Sequence, residues 1–155
     1  MPKIYLETSF ISRLVARPSR DVVVVAQQQI TRDWWEGEGT KHKLFASEFV
    51  LQEARLGDPV EVGKRLAVLL QLTMLDAAPE ADELAALLIE RHALPTKAAV
   101  DALHIAVAAF HGMDYLLTWN CKHIANLTMR PAIEATCRAA GYSAPLIGTP
   151  EEFGV

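Results

Sequence analysis

Only two cysteines, Cys121 and Cys137, occur in the 155 residues. Two thiols in unremarkable contexts exclude a disulfide framework and make a reducing cytoplasm the expected compartment. No run of about 18 apolar residues is present, so no membrane span is expected. The N-terminus lacks a basic region followed by an apolar stretch, so no secretory leader is expected either. Positive charge is also scarce: 15 Lys and Arg stand against 19 Asp and Glu, a formal charge of −4. Taken alone, that balance argues against a phosphate-binding surface. If three carboxylates gather on one cation, however, 15 bases face 16 remaining acids, and the surface is nearly neutral. Net charge therefore leaves nucleic acid open as a partner.

What is present is ordinary for a globular protein: 51% hydrophobic and 22% charged residues. The chain carries no internal repeat, no low-complexity tract and no linker rich in Gly, Ser or Pro. It reads as one domain over 1–155, long enough to bury a sizeable core without metal or disulfide staples.

Strands and helices alternate along it. Ile4, Tyr5 and Leu6 read as a short buried strand, and Phe10, Ile11, Leu14 and Val15 then recur at helical spacing. Residues 22–25 have strand character. Ile30 and Trp34, four apart and separated by polar positions, favour a helix over 21–36 that ends at Gly37 and Gly39. A second strand is expected at 44–46, then a helix over 48–56 with Ser47 as N-cap. Another helix runs over 59–71, capped by Asp58 with Pro59 at its first position. A short strand or turn at 74–77 precedes helices at 80–92 and 97–111. A strand at 115–118, a helix at 130–140 and a strand at 145–147 complete the pattern. Strands separated by helices predict an α/β sandwich, a central parallel sheet flanked by helices.

Three acids stand in places where acids are costly. Glu7 directly follows the first strand, and in parallel sheets ligands bind beyond the carboxyl ends of strands. Asn120 stands at the equivalent place after 115–118, so the two share a rim if those strands are neighbours. Asp101 interrupts a helix that is otherwise apolar on nearly every side, and an unpaired buried carboxylate costs several kcal/mol. The structural alternative is a pairing with Lys97 or with the helix dipole. In SEFVLQEARL, Phe49, Val50, Ala54 and Leu56 form an apolar stripe with Glu53 in its middle. Glu48 lies about 140° away on the solvent face, at roughly 100° per residue. Glu53 is thus the candidate, and a buried arginine pair is its structural alternative. Glu7, Glu53, Asp101 and Asn120 together offer hard oxygen ligands suited to Mg²⁺ or Mn²⁺.

The segments IYLETS, FVLQEA and AAVDALHIAVAAFHGMDYLLTWNCKHIAN resemble the PIN-domain ribonucleases, most closely the VapC-type toxins of toxin–antitoxin pairs. The resemblance spans nearly the whole chain, and DALHIA with DYLLTWNCKHIAN is its most specific part. It implies a three-layer fold and an acidic pocket binding Mg²⁺ or Mn²⁺, in which Glu7, Glu53, Asp101 and Asn120 match the family's four positions. It also implies cleavage of RNA, a small antitoxin partner and a homodimer. Thr8 and Ser9 match small hydroxyl residues that bind a metal-held water or cap the helix. Two departures stand out. The first acid is usually Asp and is Glu7 here, and the fourth is often Asp and is Asn120 here. Two rival readings therefore remain: an impaired PIN scaffold that holds RNA or protein, and a nuclease acting on structured DNA.

Other residues have blander expectations. Arg13, Arg17 and Arg20, the run Lys41-His42-Lys43, and Lys122 with His123 are basic groups that either hold phosphates or line solvated faces. Trp119 either stacks on a base or packs in the core. His104 reads as a buried histidine with a hydrogen-bonded ring. The spacings of His104, His111, Cys121, His123 and Cys137 match no zinc pattern.

Overall fold

Five short parallel strands stand side by side in the order β3-β2-β1-β4-β5 in the computed structural model, which describes residues 1–153. The strands are β1 (Lys3–Leu6), β2 (Lys43–Ser47), β3 (Thr73–Leu75), β4 (Tyr115–Leu117) and β5 (Leu146–Gly148). The helices are α1 (Thr8–Val15), α2 (Val22–Glu36), α3 (Glu48–Ala54), α4 (Pro59–Leu69), α5 (Pro79–Glu90), α6 (Ala99–Phe110) and α7 (Arg130–Ala139). The expected α/β sandwich with a parallel sheet is what the chain forms.

The strand order decides where the chemistry falls. β1 is central, paired through Tyr5↔Phe45 to β2 and through Tyr5↔Leu116 to β4. Ile4, Tyr5 and Leu6 are wholly buried, because a parallel strand covered by helices on both faces has no solvent side. The carboxyl ends of β1, β2 and β4 therefore open onto one rim. Glu7, the start of α3 and Asn120 all follow those ends.

Local rules explain most element boundaries. Asp58 caps α4 by accepting from the Val60 and Glu61 amides, with Pro59 at the first position. Asp21 does the same for α2 through Val23 and Val24. The strand-like valines at 22–25 are thus helical because a cap precedes them and a long amphipathic stretch follows. The expected helix over 97–111 divides into a short 3₁₀ turn (Thr96–Ala98) and α6. The expected α3 ends earlier, at Ala54, where Gly57 (φ 101) turns the chain into α4.

Two capping expectations are corrected. Ser47 occupies the N-cap of α3 but makes no capping bond; its hydroxyl is engaged by Tyr5 at 2.7 Å instead. At α1 the cap is the acid itself. Glu7 accepts from the Ser9 amide at 3.1 Å, which leaves the Thr8 hydroxyl for Glu53 and the Ser9 hydroxyl for the same Glu7 carboxylate.

Candidate functional site

Glu7 leaves the end of β1 and is 4% exposed. A buried carboxylate must be satisfied by donors, and three surround this one. Ser9 supplies its amide and, at 2.5 Å, its hydroxyl. Thr118, just past β4, supplies a second hydroxyl at 2.5 Å. Ser9 Oγ in turn accepts from the Trp119 amide at 2.7 Å. The hydroxyls after the first acid thus fasten it across the β1–β4 junction.

Glu53 reaches the same place from the last turn of α3. Its Oε1 accepts from Thr8 Oγ1 at 2.6 Å and from His104 Nε2 at 2.6 Å. Burial pushes the Glu53 carboxyl up, but the hydrogen bonds from His104 and the Thr8 hydroxyl outweigh it and hold it below its ordinary value. It is therefore a carboxylate at neutral pH.

His104 is buried completely and comes from α6. Since an ionised carboxylate only accepts, Nε2 carries the hydrogen shared with Glu53. The other ring nitrogen, Nδ1, lies 2.7 Å from the Tyr5 hydroxyl, which lies 2.7 Å from Ser47 Oγ. Burial, with the Glu7 and Glu53 charges, raises the Tyr5 pKa well above 10 against the opposing Ser47 bond, so it remains a phenol. A continuous chain Ser47–Tyr5–His104–Glu53–Thr8 thus lies under the site.

Asp101 sits three residues before His104 on the same face of α6. Its Oδ1 accepts from Asn120 Nδ2 at 3.0 Å, and its Oδ2 lies 3.0 Å from His123 Nδ1. Asn120 is fixed twice more. Its backbone N–H donates to Thr118 Oγ1 at 2.9 Å, and its Oδ1 accepts from the His123 backbone N–H at 3.1 Å. Asp101 and Asn120 are one unit, tied to Glu7 through the shared Thr118 hydroxyl.

Glu7, Glu53 and His104 each offer one ligand atom, all within 4.8 Å of one another. Asp101 and Asn120 stand beside this group, not in it. Among the described residues no Lys or Arg pairs with Glu7, Glu53 or Asp101, and Lys97 is not the partner of Asp101. The arginine and lysine alternatives therefore do not account for these acids. The donor set fits a divalent cation: two carboxylate oxygens and one imidazole nitrogen converge from the separate elements β1, α3 and α6.

Several other candidates have partners within the fold. Trp119 is buried and donates to Thr31 Oγ1 at 2.8 Å. Lys41 and His42 pair with Glu38, and Arg17 pairs with Glu61. A cavity of about 690 Å³ lined by Trp35, His42, Phe45 and Leu72 opens at the starts of β2 and β3. That is the opposite end of the sheet from the acids.

Sequence reasoning did not assign Tyr5, Ser47 or Thr118 to the site; it took His123 as a phosphate holder or a solvated group and gave His104 only a structural place. Some signal existed. A tyrosine in a fully buried strand needs a partner for its hydroxyl, and a histidine three residues after Asp101 must share its helix face.

The model of the PIN domain family matches residues 4–121. Among solved structures, VapC20 of Mycobacterium tuberculosis, a toxin that cleaves the sarcin-ricin loop, superposes with a TM-score of 0.59 at 19% identity. That match covers 83% of this chain and 94% of VapC20. VapBC2 of Rickettsia felis, solved bound to a DNA fragment from its promoter, gives a TM-score of 0.61 at 13% identity. It covers 95% of this chain and 98% of the other. No curated protein matches the sequence significantly. With the family model spanning the sheet rim and its acids, the chain belongs to the PIN-domain family.

Proposed function

We propose that this protein is a metal-dependent endoribonuclease, the toxin of a toxin–antitoxin pair acting in the cytoplasm. One observation carries the reading. Glu7 and Glu53 meet at the carboxyl end of a parallel sheet with no arginine or lysine paired to them among the described residues, and Asp101 with Asn120 is joined to Glu7 through Thr118. Membership of the PIN family and the likeness to two VapC structures support the same class of chemistry.

Glu7, Glu53, Asp101 and Asn120 are the groups that would hold Mg²⁺ or Mn²⁺, the first two close together and the last two joined to Glu7 through Thr118. When bound, the cation supplies charge that lowers the pKa of water and stabilises oxygens that become negative at the phosphodiester. The chain's own groups do the positioning. Ser9 and Thr118 hold the Glu7 carboxylate in one orientation, and Thr8 with His104 does so for Glu53. Asn120 and His123 hold the two oxygens of the Asp101 carboxylate, and its role in this reading is to accept a proton from an attacking water. Glu7 being longer than Asp is accommodated by its capping α1, which draws the carboxylate back against Ser9.

Asp101→Asn is expected to reduce Mn²⁺-dependent cleavage of single-stranded RNA by at least about a hundredfold, the lower end for a general acid–base group. Cleavage undiminished in that variant removes the role. A second reading is favoured by the three donors that already engage Glu7: a scaffold that binds RNA or protein without cutting. Mn²⁺ binding with no cleavage of single-stranded RNA or branched DNA decides for it, and cleavage of branched DNA alone decides for a structured-DNA nuclease. The antitoxin partner and the homodimer belong to this proposal. Co-expression with a neighbouring short reading frame, followed by size-exclusion chromatography, tests both.

A further inference from the structure

The sequence pattern pointed to an all-oxygen site, and the structure adds a nitrogen to it. His104 Nε2 lies 2.6 Å from Glu53 Oε1 and 4.0 Å from Glu7 Oε2. It belongs to the same close group as the two carboxylates. We propose that His104 is a direct ligand of the cation, and that this nitrogen tilts the site toward a first-row transition-metal dication such as Mn²⁺ over Mg²⁺. The inference rests on the metal-site reading above and deepens it.

Three observations support it. The ring is completely buried, and its edge faces Glu53 and Glu7, not solvent. The ring is also fixed: Phe49 packs edge-on with ring centroids 6.5 Å apart, and Tyr5 holds Nδ1 at 2.7 Å. A histidine that binds a metal usually has its second ring nitrogen held by a polar partner, which orients the ring. Tyr5 occupies that position here.

The buried chain behind the ring can run either way. With Nε2–H donating to Glu53, Nδ1 accepts from the Tyr5 hydroxyl, and Tyr5 accepts from Ser47. With the ring hydrogen on Nδ1 instead, that nitrogen donates to the Tyr5 oxygen and the Tyr5 hydroxyl turns to Ser47 Oγ. Every buried polar group along Tyr5 and the ring stays satisfied, and the Nε2 lone pair is released toward the two carboxylates. Two hydroxyls permit this reversal because each both donates and accepts. The metal preference then follows from donor type, since Mg²⁺ takes oxygen ligands and imidazole suits transition metals.

The experiment is pulsed electron paramagnetic resonance of Mn²⁺ bound to the purified protein, unlabelled and labelled with ¹⁵N-histidine. The expected result is a ¹⁴N modulation that changes to the ¹⁵N pattern on labelling, disappears in His104→Gln and persists in His123→Gln. Mn²⁺ should also bind at least about tenfold more tightly than Mg²⁺, with the ratio collapsing in His104→Gln and the Mn²⁺ affinity falling about tenfold or more in Tyr5→Phe. Bound Mn²⁺ without nitrogen coupling in the wild-type protein overturns the inference and leaves the metal site standing. Absence of any Mn²⁺ binding overturns the site as well, so the two failures are distinguishable. The wild-type spectrum decides without a variant, so a misfolded substitution does not obscure the answer.

Discussion

At the scale of single residues, the site is governed by hydroxyl groups in a buried place. Tyr5 illustrates the energetics. Its hydroxyl is the partner of both His104 Nδ1 and Ser47 Oγ, so Tyr5→Phe leaves two buried polar atoms unmatched while barely changing volume. The expected loss is about 1–3 kcal/mol of stability, the cost of leaving a buried donor or acceptor unsatisfied, read as a lower urea midpoint at constant slope. The cysteines give a contrasting case. Cys121 is exposed, whereas Cys137 is buried in α7 and burial pushes its thiol from 9.0 up to about 11. Native protein should therefore react with a thiol reagent at one cysteine at neutral pH, and at two after denaturation. The sign of the pH effect follows. A raised folded pKa favours the protonated thiol, so its contribution is fully present below pH 9 and is lost between 9 and about 11.

At the scale of elements, caps and close contacts decide where each piece begins and how it rests on its neighbour. α2 ends at Gly37, and a short 3₁₀ turn (Glu38–Lys41) folds back onto Trp34. Gly39 in that turn has no room for a side chain. A Cβ there would stand 2.9 Å from Trp34 Cζ3 and 3.1 Å from the Trp34 carbonyl oxygen, which is backbone and cannot step aside. Gly39→Ala is expected to cost about 1–3 kcal/mol through overpacking, measurable as a lower denaturant midpoint. This part of the molecule was legible in advance, because Gly37 and Gly39 mark the helix end in the sequence. Ser47 was legible only in part: its position at an N-cap follows from local pattern, but Tyr5, 42 residues away, claims its hydroxyl.

At the scale of the whole molecule, a single buried cluster joins β1, β2 and β4 to residues of all seven helices. Unfolding is therefore expected to be cooperative. Fluorescence of the three tryptophans, of which Trp34 and Trp119 are buried, and far-ultraviolet circular dichroism should trace the same urea transition. Separate midpoints would show that the core breaks into independent parts. The strand order matters for function as much as for stability. Placing β1 between β2 and β4 brings Glu7 and Thr118, 111 residues apart, into hydrogen-bond contact.

The amino-acid sequence by itself determined the elements and the suspicion about the acids. Helical periodicity, caps at Asp21 and Asp58, and buried strands are local properties, each decided within a few residues by backbone sterics and side-chain polarity. Glu53 on an apolar stripe and Asp101 on an apolar helix are anomalies visible for the same reason. Only the tertiary structure decided what those acids meet. Among the described residues, hydroxyls, an amide and two imidazoles surround them in place of arginine or lysine, and His104 stands with Glu7 and Glu53 while Asp101 turns to Asn120 and His123. Those partners lie on strands and helices joined by pairings between distant residues, and no local pattern records which side chain a parallel neighbour will bring.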